Sequence, residues 1–248
     1  MKNKIKRIVY ALIAVVIWIS VWEIIARTIN LSFVIPTFPD TIRTFFDLLL
    51  TADFWQTICT SLLRILLGFV IGAALGIAIA PLTHRSELVY AIISPIMTVI
   101  KSTPVASFIL VLWCLIGKHS VPTAIGILMV MPIVWQNLSD GFKSIDTRLG
   151  EVCTIYEVSP LKKFKILIAP TLMKFLIPAL ITSSALAWKS GIAAEIIVYA
   201  KDSIGKEIID AKNFFESEKM FAWTMAVVLL SICIEFVIKK LTKAVKKL

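Results

Sequence analysis

Six long apolar runs, Ile8–Ala26, Trp55–Leu82, Leu88–Ile116, Val121–Asn137, Leu172–Tyr199 and Phe221–Ile238, constrain this chain more than anything else in its sequence. About 20 helical residues cross ~30 Å of hydrocarbon, and each run is near that length or beyond it. No water reaches the backbone at that depth, so a spanning segment must close its own hydrogen bonds. Runs that are apolar on every face, without the alternation of a barrel strand, do so as helices. The sequence therefore predicts an all-α, polytopic membrane protein with six transmembrane helices. An ordinary soluble domain is about half apolar and a quarter charged, whereas this chain is 58% hydrophobic and 17% charged.

Charge sets the expected orientation. The start, "MKNKIKR", is basic, but the run after it is longer than a signal-peptide core and no small-x-small site follows "WEIIARTIN", so a retained helix is expected. With the N-terminus inside, the cytoplasmic side receives Lys2, Lys4, Lys6, Arg7, Arg85, Lys143, Arg148, Lys162, Lys163, Lys165 and Lys174. The basic tail, residues 241–248, follows Lys239 and Lys240 and adds Lys243, Lys246 and Lys247. An even number of spans makes both termini cytoplasmic. Positive-inside bias and anionic membrane lipid account for the net charge of +10, and no soluble basic fold is visible that would present it to nucleic acid.

Chemistry is sparse. Cys59, Cys114, Cys153 and Cys233 form no C-x-x-C pair, and only His84 and His119 could join them, so neither a metal nor a disulfide site is expected. "LIGKHS" lacks the earlier glycine of a phosphate-binding loop, and no nucleophile–base or paired-carboxylate set stands out. The chain reads as neither an ATPase nor a membrane enzyme, with no catalytic residues.

Residues 1–54 read as the first helix plus an external amphipathic segment, opened after Pro36 and Pro39 by Asp40 or Thr41, with Phe45, Phe46, Leu49 and Leu50 on its apolar side. Gly68, Gly72 and Gly76 share one face of the second span and allow close helix packing. Lys101-Ser102-Thr103-Pro104 interrupts the third, because proline removes a donor and disfavours helix in the residue before it. "KDSIGKEIIDAKNFFESEK", after the fifth span, reads as a short external helix.

Gly150–Pro170 is a basic insert between two spans. It reads as helix, turn, helix. Asp146 or Thr147 caps the first helix, with Leu149, Val152, Ile155 and Tyr156 at apolar spacing. Ser159-Pro160 restarts the second, which carries Leu161, Phe164 and Ile168 among lysines and ends at Pro170. Such a hairpin is either a docking knob or a membrane-surface element.

Glu151-Val152-Cys153, with Pro170 nineteen positions after Glu151, resembles the EAA loop of ABC importer permeases. Departures are Val152 and Cys153 for two alanines, Glu157 for the usual glycine, and Leu167 and Ala169 for isoleucine and leucine. "SLLRILLGFVIGAALGIAIA", "PVASFILVLWCLIG" and "ALAWKSGIAAEIIVYAKDSIGKEI" resemble, in order and spacing, the sulfonate, nitrate and taurine-type permeases. The resemblance implies a five-helix permease core over residues 55–240, with a cytoplasmic coupling loop at 141–170 and the first helix added in front. It further implies a half-pore completed by a second permease copy, two cytoplasmic ATPase subunits that bind ATP and Mg, and an external solute-binding protein. No cofactor is implied in this chain. The coupling residues it marks are Glu151, Val152, Cys153, Tyr156, Glu157, Ser159, Pro160, Phe164 and Pro170. A glycine at 157 implies a left-handed turn there, which a glutamate adopts at a cost of about 1 kcal/mol. The cargo implied is a small solute of the sulfonate, taurine or nitrate kind, with a thiamine-pyrimidine precursor as the alternative. A secondary transporter would call for intramembrane acid or histidine relays, which are missing.

Three cations, Arg64, Lys101 and Lys189, fall inside predicted spans, where a charge costs about 2.5–3.5 kcal/mol. One reading has them snorkel, pair with helix-end carbonyls or bridge to Glu195 and Glu23. The other makes them, with Ser102, Thr103, Ser190 and Glu195, a pathway lining suited to a small anion.

Overall fold

The computed structural model describes residues 2–29, 31 and 33–245, and every described element is helical. Lys246 and Lys247 of the predicted tail lie outside the described residues, as do the side chains of Lys2, Lys4, Arg7 and Lys243. The helices are α1 (Lys2–Ile29), α2 (Phe38–Leu49), α3 (Ala52–Arg85), α4 (Glu87–Ser102), α5 (Val105–Ile116) and α6 (Val121–Lys143). They continue as α7 (Thr147–Ile155), α8 (Pro160–Lys163), a π turn (Phe164–Ile168), α9 (Ala169–Val198), α10 (Ile204–Asn213) and α11 (Ser217–Val245).

α3, α6 and α9 form the centre. Gly68 allows the approach of the first two: a Cβ built on it would stand 2.4 Å from the Thr123 carbonyl oxygen and 3.1 Å from the Gly126 Cα. Gly72 and Gly76 meet α6 further along, at Ile127 and Val134. The glycine stripe is therefore an intrachain packing seam. Trp135 and Trp188 fill the core on either side, and the Trp135 indole N–H donates to the Thr83 hydroxyl at 3.0 Å. α1 stands at the periphery, touching the rest mainly through Trp22, which lies against Phe38 and Phe221. Its apolar residues are largely uncovered, as befits a helix facing lipid.

Three expectations need correction. α2 is capped by Thr37 rather than Asp40 or Thr41, its hydroxyl accepting from the Asp40 amide. Pro39 then sits in the first turn, where its missing N–H has no cost. The packed side of α2 is Phe45, Leu48 and Leu49, while Phe46 and Leu50 are exposed.

The interruption expected in the third span lies where the sequence put it, and α4 and α5 meet at 106° across the Thr103-Pro104 break. The bent pair still joins the two ends of the bundle. Glu87, at the start of α4, lines one cavity with Lys143, at the end of α6. His119, beyond α5, reaches Arg64 near the opposite end. Five helices are each long and apolar enough to cross a membrane, and the bent pair, counted as one span, makes a sixth.

Finally, Pro170 does not end the second helix of the insert. α8, the π turn and α9 run on as one apolar helix, Pro160–Val198. In the π turn the Ala169 amide donates to the Phe164 carbonyl, one residue beyond α-helical register. This wider turn lies just upstream of Pro170 and relieves the clash and missing donor that proline brings.

Candidate functional site

Two places collect the residues singled out in the sequence: the insert, and the end of the bundle farthest from it. In the insert, Asp146 caps α7, its carboxylate accepting from the Arg148 amide at 2.8 Å. The helix ends in a Schellman turn. The Val158 amide donates to the Cys153 carbonyl at 2.9 Å and the Glu157 amide to the Thr154 carbonyl at 3.1 Å, with Glu157 in the left-handed region at φ 48°. This is the position where the family pattern carries glycine, so the turn is kept and a glutamate bears its conformational cost. Ser159 holds the cap position of α8 with its backbone, its carbonyl accepting from the Lys163 amide, but its side chain makes no capping bond. The Lys163 ammonium reaches back to the Gly150 carbonyl at 3.2 Å and clasps the two arms.

Cys153 and Leu167 turn inward. Val152 and Phe164 stand half-exposed, and Ile155 and Tyr156 are each 77% exposed. Glu151, Pro160 and Pro170 are exposed beside them. A short helix carrying this much uncovered apolar surface, on a base rigidly continued into α9, has the form of a knob.

At the far end a single carboxylate gathers three elements. Glu195, fully buried on α9, accepts from the Ser61 hydroxyl of α3 at 2.9 Å and from the Gly205 amide of α10 at 3.3 Å. The Ser61 oxygen in turn accepts from the Ile204 amide at 3.0 Å. Gly205 is required by contact, because a Cβ there would lie 2.5 Å from both the Glu195 Cβ and the Ile196 amide nitrogen. One turn along α3 from Ser61, Arg64 donates to the Lys201 carbonyl at 3.1 Å and stands 3.4 Å from His119 Nδ1. Arg64 thus takes a carbonyl in the link between α9 and α10 rather than one at a helix end, and Glu23 is occupied by Arg27 at 2.7 Å.

The other candidates do not join this cluster. Ser102 and Thr103 both donate to the Val99 carbonyl, at 3.2 and 2.7 Å, and Ser190 is buried and donates to Ala187. Lys101 and Lys189 are exposed on the bundle surface, and among the described residues neither makes an ion pair. Sequence reasoning missed Ser61 and His119. Ser61 was legible as the residue one helical turn before a buried-span arginine. His119 was legible as a second polar group at the end shared by antiparallel neighbours.

Beyond the spans, α10 carries its own polar cluster. Lys206 pairs with Asp210 at 2.9 Å, and the Tyr199 hydroxyl donates to the same carboxylate. The bond to Asp210 raises the titration of both Tyr199 and Lys206 above their ordinary values. Burial pushes Asp210 up, yet the two bonds it accepts outweigh that and hold it below the usual carboxylate range.

Residues 72–247 match the family model described as "Binding-protein-dependent transport system inner membrane component". The putative aliphatic sulfonates transport permease protein SsuC of Bacillus subtilis is 25% identical over 207 residues, spanning 82% of this chain and 74% of that protein. The nitrate import permease protein NrtB of Leptolyngbya laminosa is 28% identical, spanning 64% and 57%. The taurine transport system permease protein TauC of Escherichia coli is 22% identical, spanning 77% and 70%. Among solved structures, an inward-facing MetNI methionine ABC transporter superposes with TM-score 0.59 at 16% identity, covering 77% of this chain and 93% of that one. An amino acid ABC transporter does so with TM-score 0.61 at 16% identity, covering 79% and 92%. At these identities the structures establish the likeness of fold.

Proposed function

The chain belongs to the family of binding-protein-dependent transport system inner membrane components, and on that premise we propose that two copies of it enclose the path of a small anion, driven by separate ATPase subunits that dock on the 141–170 loop. The observation that carries this reading is the continuity of the insert with the bundle. Ile155 and Tyr156 stand exposed on α7, which the turn at Glu157 and the Lys163–Gly150 bond join to a helix that runs from Pro160 to Val198, carries Phe164 near its start and packs on α6. A push on the knob therefore moves a core helix, and rocking of packed helices is how alternating access is generally achieved.

The division of labour follows. ATP and Mg belong to the partner, and this chain supplies no hydrolytic group. Residues 55–240 form the core, residues 1–54 add a peripheral helix and an external segment, and residues 241–248 form a basic tail on the cytoplasmic side with the N-terminus. An external binding protein delivers the cargo to the end that holds Arg64 and His119. An anion is supported by the exposed cations Lys101 and Lys189 on the bundle surface, and by relatives named for sulfonates, nitrate and taurine. Purification of the tagged chain from its native membrane tests the proposal. Native mass measurement should give two permease and two ATPase subunits, and a transport-active form without any ATPase would overturn it.

A further inference from the structure

A cavity of about 390 Å³ opens between the end of α3, the first turn of α4 and the end of α6, at the end of the bundle from which the insert departs. It is lined by Thr83, His84, Glu87, Tyr90, Ser139 and Lys143. Its volume is in the range of small-molecule sites. Ser139 is 6% exposed, yet its hydroxyl has no hydrogen-bond partner among the described residues, in a setting where buried hydroxyls are almost always paired. Three of the other polar groups have partners around the cavity. The His84 ring stacks on Phe142 with centroids 4.6 Å apart and planes at 12°, and the Lys143 ammonium lies 5.3 Å over the Tyr90 ring. Thr83 is already engaged, accepting from Trp135 and donating to Ala80.

We propose that this cavity binds a zwitterion made of a phosphate and a primary ammonium, the chemistry of a phosphoethanolamine headgroup. Lys143, the His84 ring edge and the Ser139 hydroxyl supply donors for the phosphate oxygens. Glu87 accepts from the ammonium. A bare phosphate fits poorly, because the Glu87 carboxylate on the same wall repels it. A quaternary ammonium fits poorly too, because it has no N–H for Glu87 and the one aromatic face is already covered by Lys143. Leu82 and Leu88, both exposed on the helices that frame the opening, provide apolar surface for acyl chains. The site is separate from the insert and from the Arg64 end, and the transport reading does not depend on it.

The test uses the full chain in its purified complex, delipidated and titrated by native mass spectrometry with phosphatidylethanolamine or phosphatidylcholine of matched acyl chains. Wild type should hold the ethanolamine lipid about tenfold more tightly, as the loss of one charge-assisted hydrogen bond implies. Glu87→Gln should erase that preference, and Lys143→Gln should weaken both lipids while Lys143→Arg restores them. These side chains are exposed, so the variants should melt like wild type, which is checked in parallel. Free phosphoethanolamine in competition separates the sources. Displacement places the physiological ligand in solution and retention places it in the bilayer, both on the same chemistry. Equal binding of the two lipids by wild type, or an ethanolamine preference unchanged in Glu87→Gln, would overturn the proposal.

Discussion

At the junction of α9 and α10 a buried carboxylate bonds a hydroxyl from α3 and an amide from α10, while at the insert Ile155 and Tyr156 stand in the open with only their own turn to support them. Both regions lie at the ends of long apolar helices, and both are built from short helices attached to the same α9. The difference lies in where each finds its partners. A buried polar group must be matched within the chain, because a lost acceptor costs about 1–3 kcal/mol. An exposed apolar face can remain unmatched until another molecule covers it. The junction is therefore closed largely within the chain, with one oxygen of Glu195 left without a partner among the described residues, and the insert is half of a joint.

The largest test of that contrast falls on the joint. Gly205→Ala drives a methyl group against the Glu195 side chain and the Ile196 backbone, which cannot yield as a flexible chain end would. Destabilisation of about 3 kcal/mol or more is expected, together with loss of the Ser61–Glu195–α10 bonds. Thermal unfolding of the purified permease in detergent measures it. A melting curve equal to wild type would mean that α10 is not pinned by this contact. The matching change in the insert, Gly150→Ala, should be close to neutral, because the nearest atom to its Cβ is the mobile Lys163 ammonium at 3.9 Å.

How much of each region the sequence disclosed follows the same division. Apolar length revealed the spans, proline revealed the break at Thr103-Pro104, and glycine spacing revealed the close-packing face of α3 though not its partner α6, because each is a local property of the chain. The insert was legible as helix and turn for the same reason, whereas the left-handed conformation at Glu157 was implied only by the resemblance to a pattern that carries glycine there. Pro170 misled, since a π turn upstream can absorb a proline and nothing in local spacing announces it. The joint was the least legible part. Glu195 stood out as an acid in a span, but its partners Ser61 and Gly205 come from elements that only folding brings together, and its burial at 0% exposure could not be read from a helix that is apolar all round.

In the insert, effects should appear in assembly rather than in folding. Tyr156→Ala and Ile155→Ala remove side chains that are 77% exposed, so melting of the isolated permease should hardly change. If these are the anchors of an ATPase interface, each is worth about 2 kcal/mol there, and docking should weaken by more than about tenfold. Retention of ATPase subunits on purification, and stimulation of hydrolysis by loaded binding protein, are the readouts. Unchanged retention in both variants would place the docking surface elsewhere and dissolve the contrast.

A weaker effect separates the two readings of the surface cations. Lys101→Met deletes a charge beside the α4–α5 break while keeping most of the side-chain volume, and no ion pair among the described residues is broken by it. Uptake of an anionic cargo into proteoliposomes should fall severalfold with assembly intact. Uptake equal to wild type would leave Lys101 with a role at the lipid or subunit surface only.

The smallest expected effect is also the one that asks whether the insert is strained for a purpose. Glu157 occupies the C′ position of a Schellman turn at φ 48°, where glycine meets no Cβ penalty. Glu157→Gly should therefore stabilise the turn by up to about 1 kcal/mol, partly offset by the greater freedom glycine gives the unfolded chain. The side chain is exposed and makes no hydrogen bond among the described residues, so no contact within the chain is lost. Hydrogen exchange at the Val158 amide, which closes the turn on Cys153, reports the local change, and ATPase stimulation reports the functional one. Slower exchange with unchanged stimulation would make Glu157 a tolerated departure from the family pattern. Slower exchange with reduced stimulation would show that the glutamate itself meets the partner, making the strained residue part of the half-joint rather than a flaw in it.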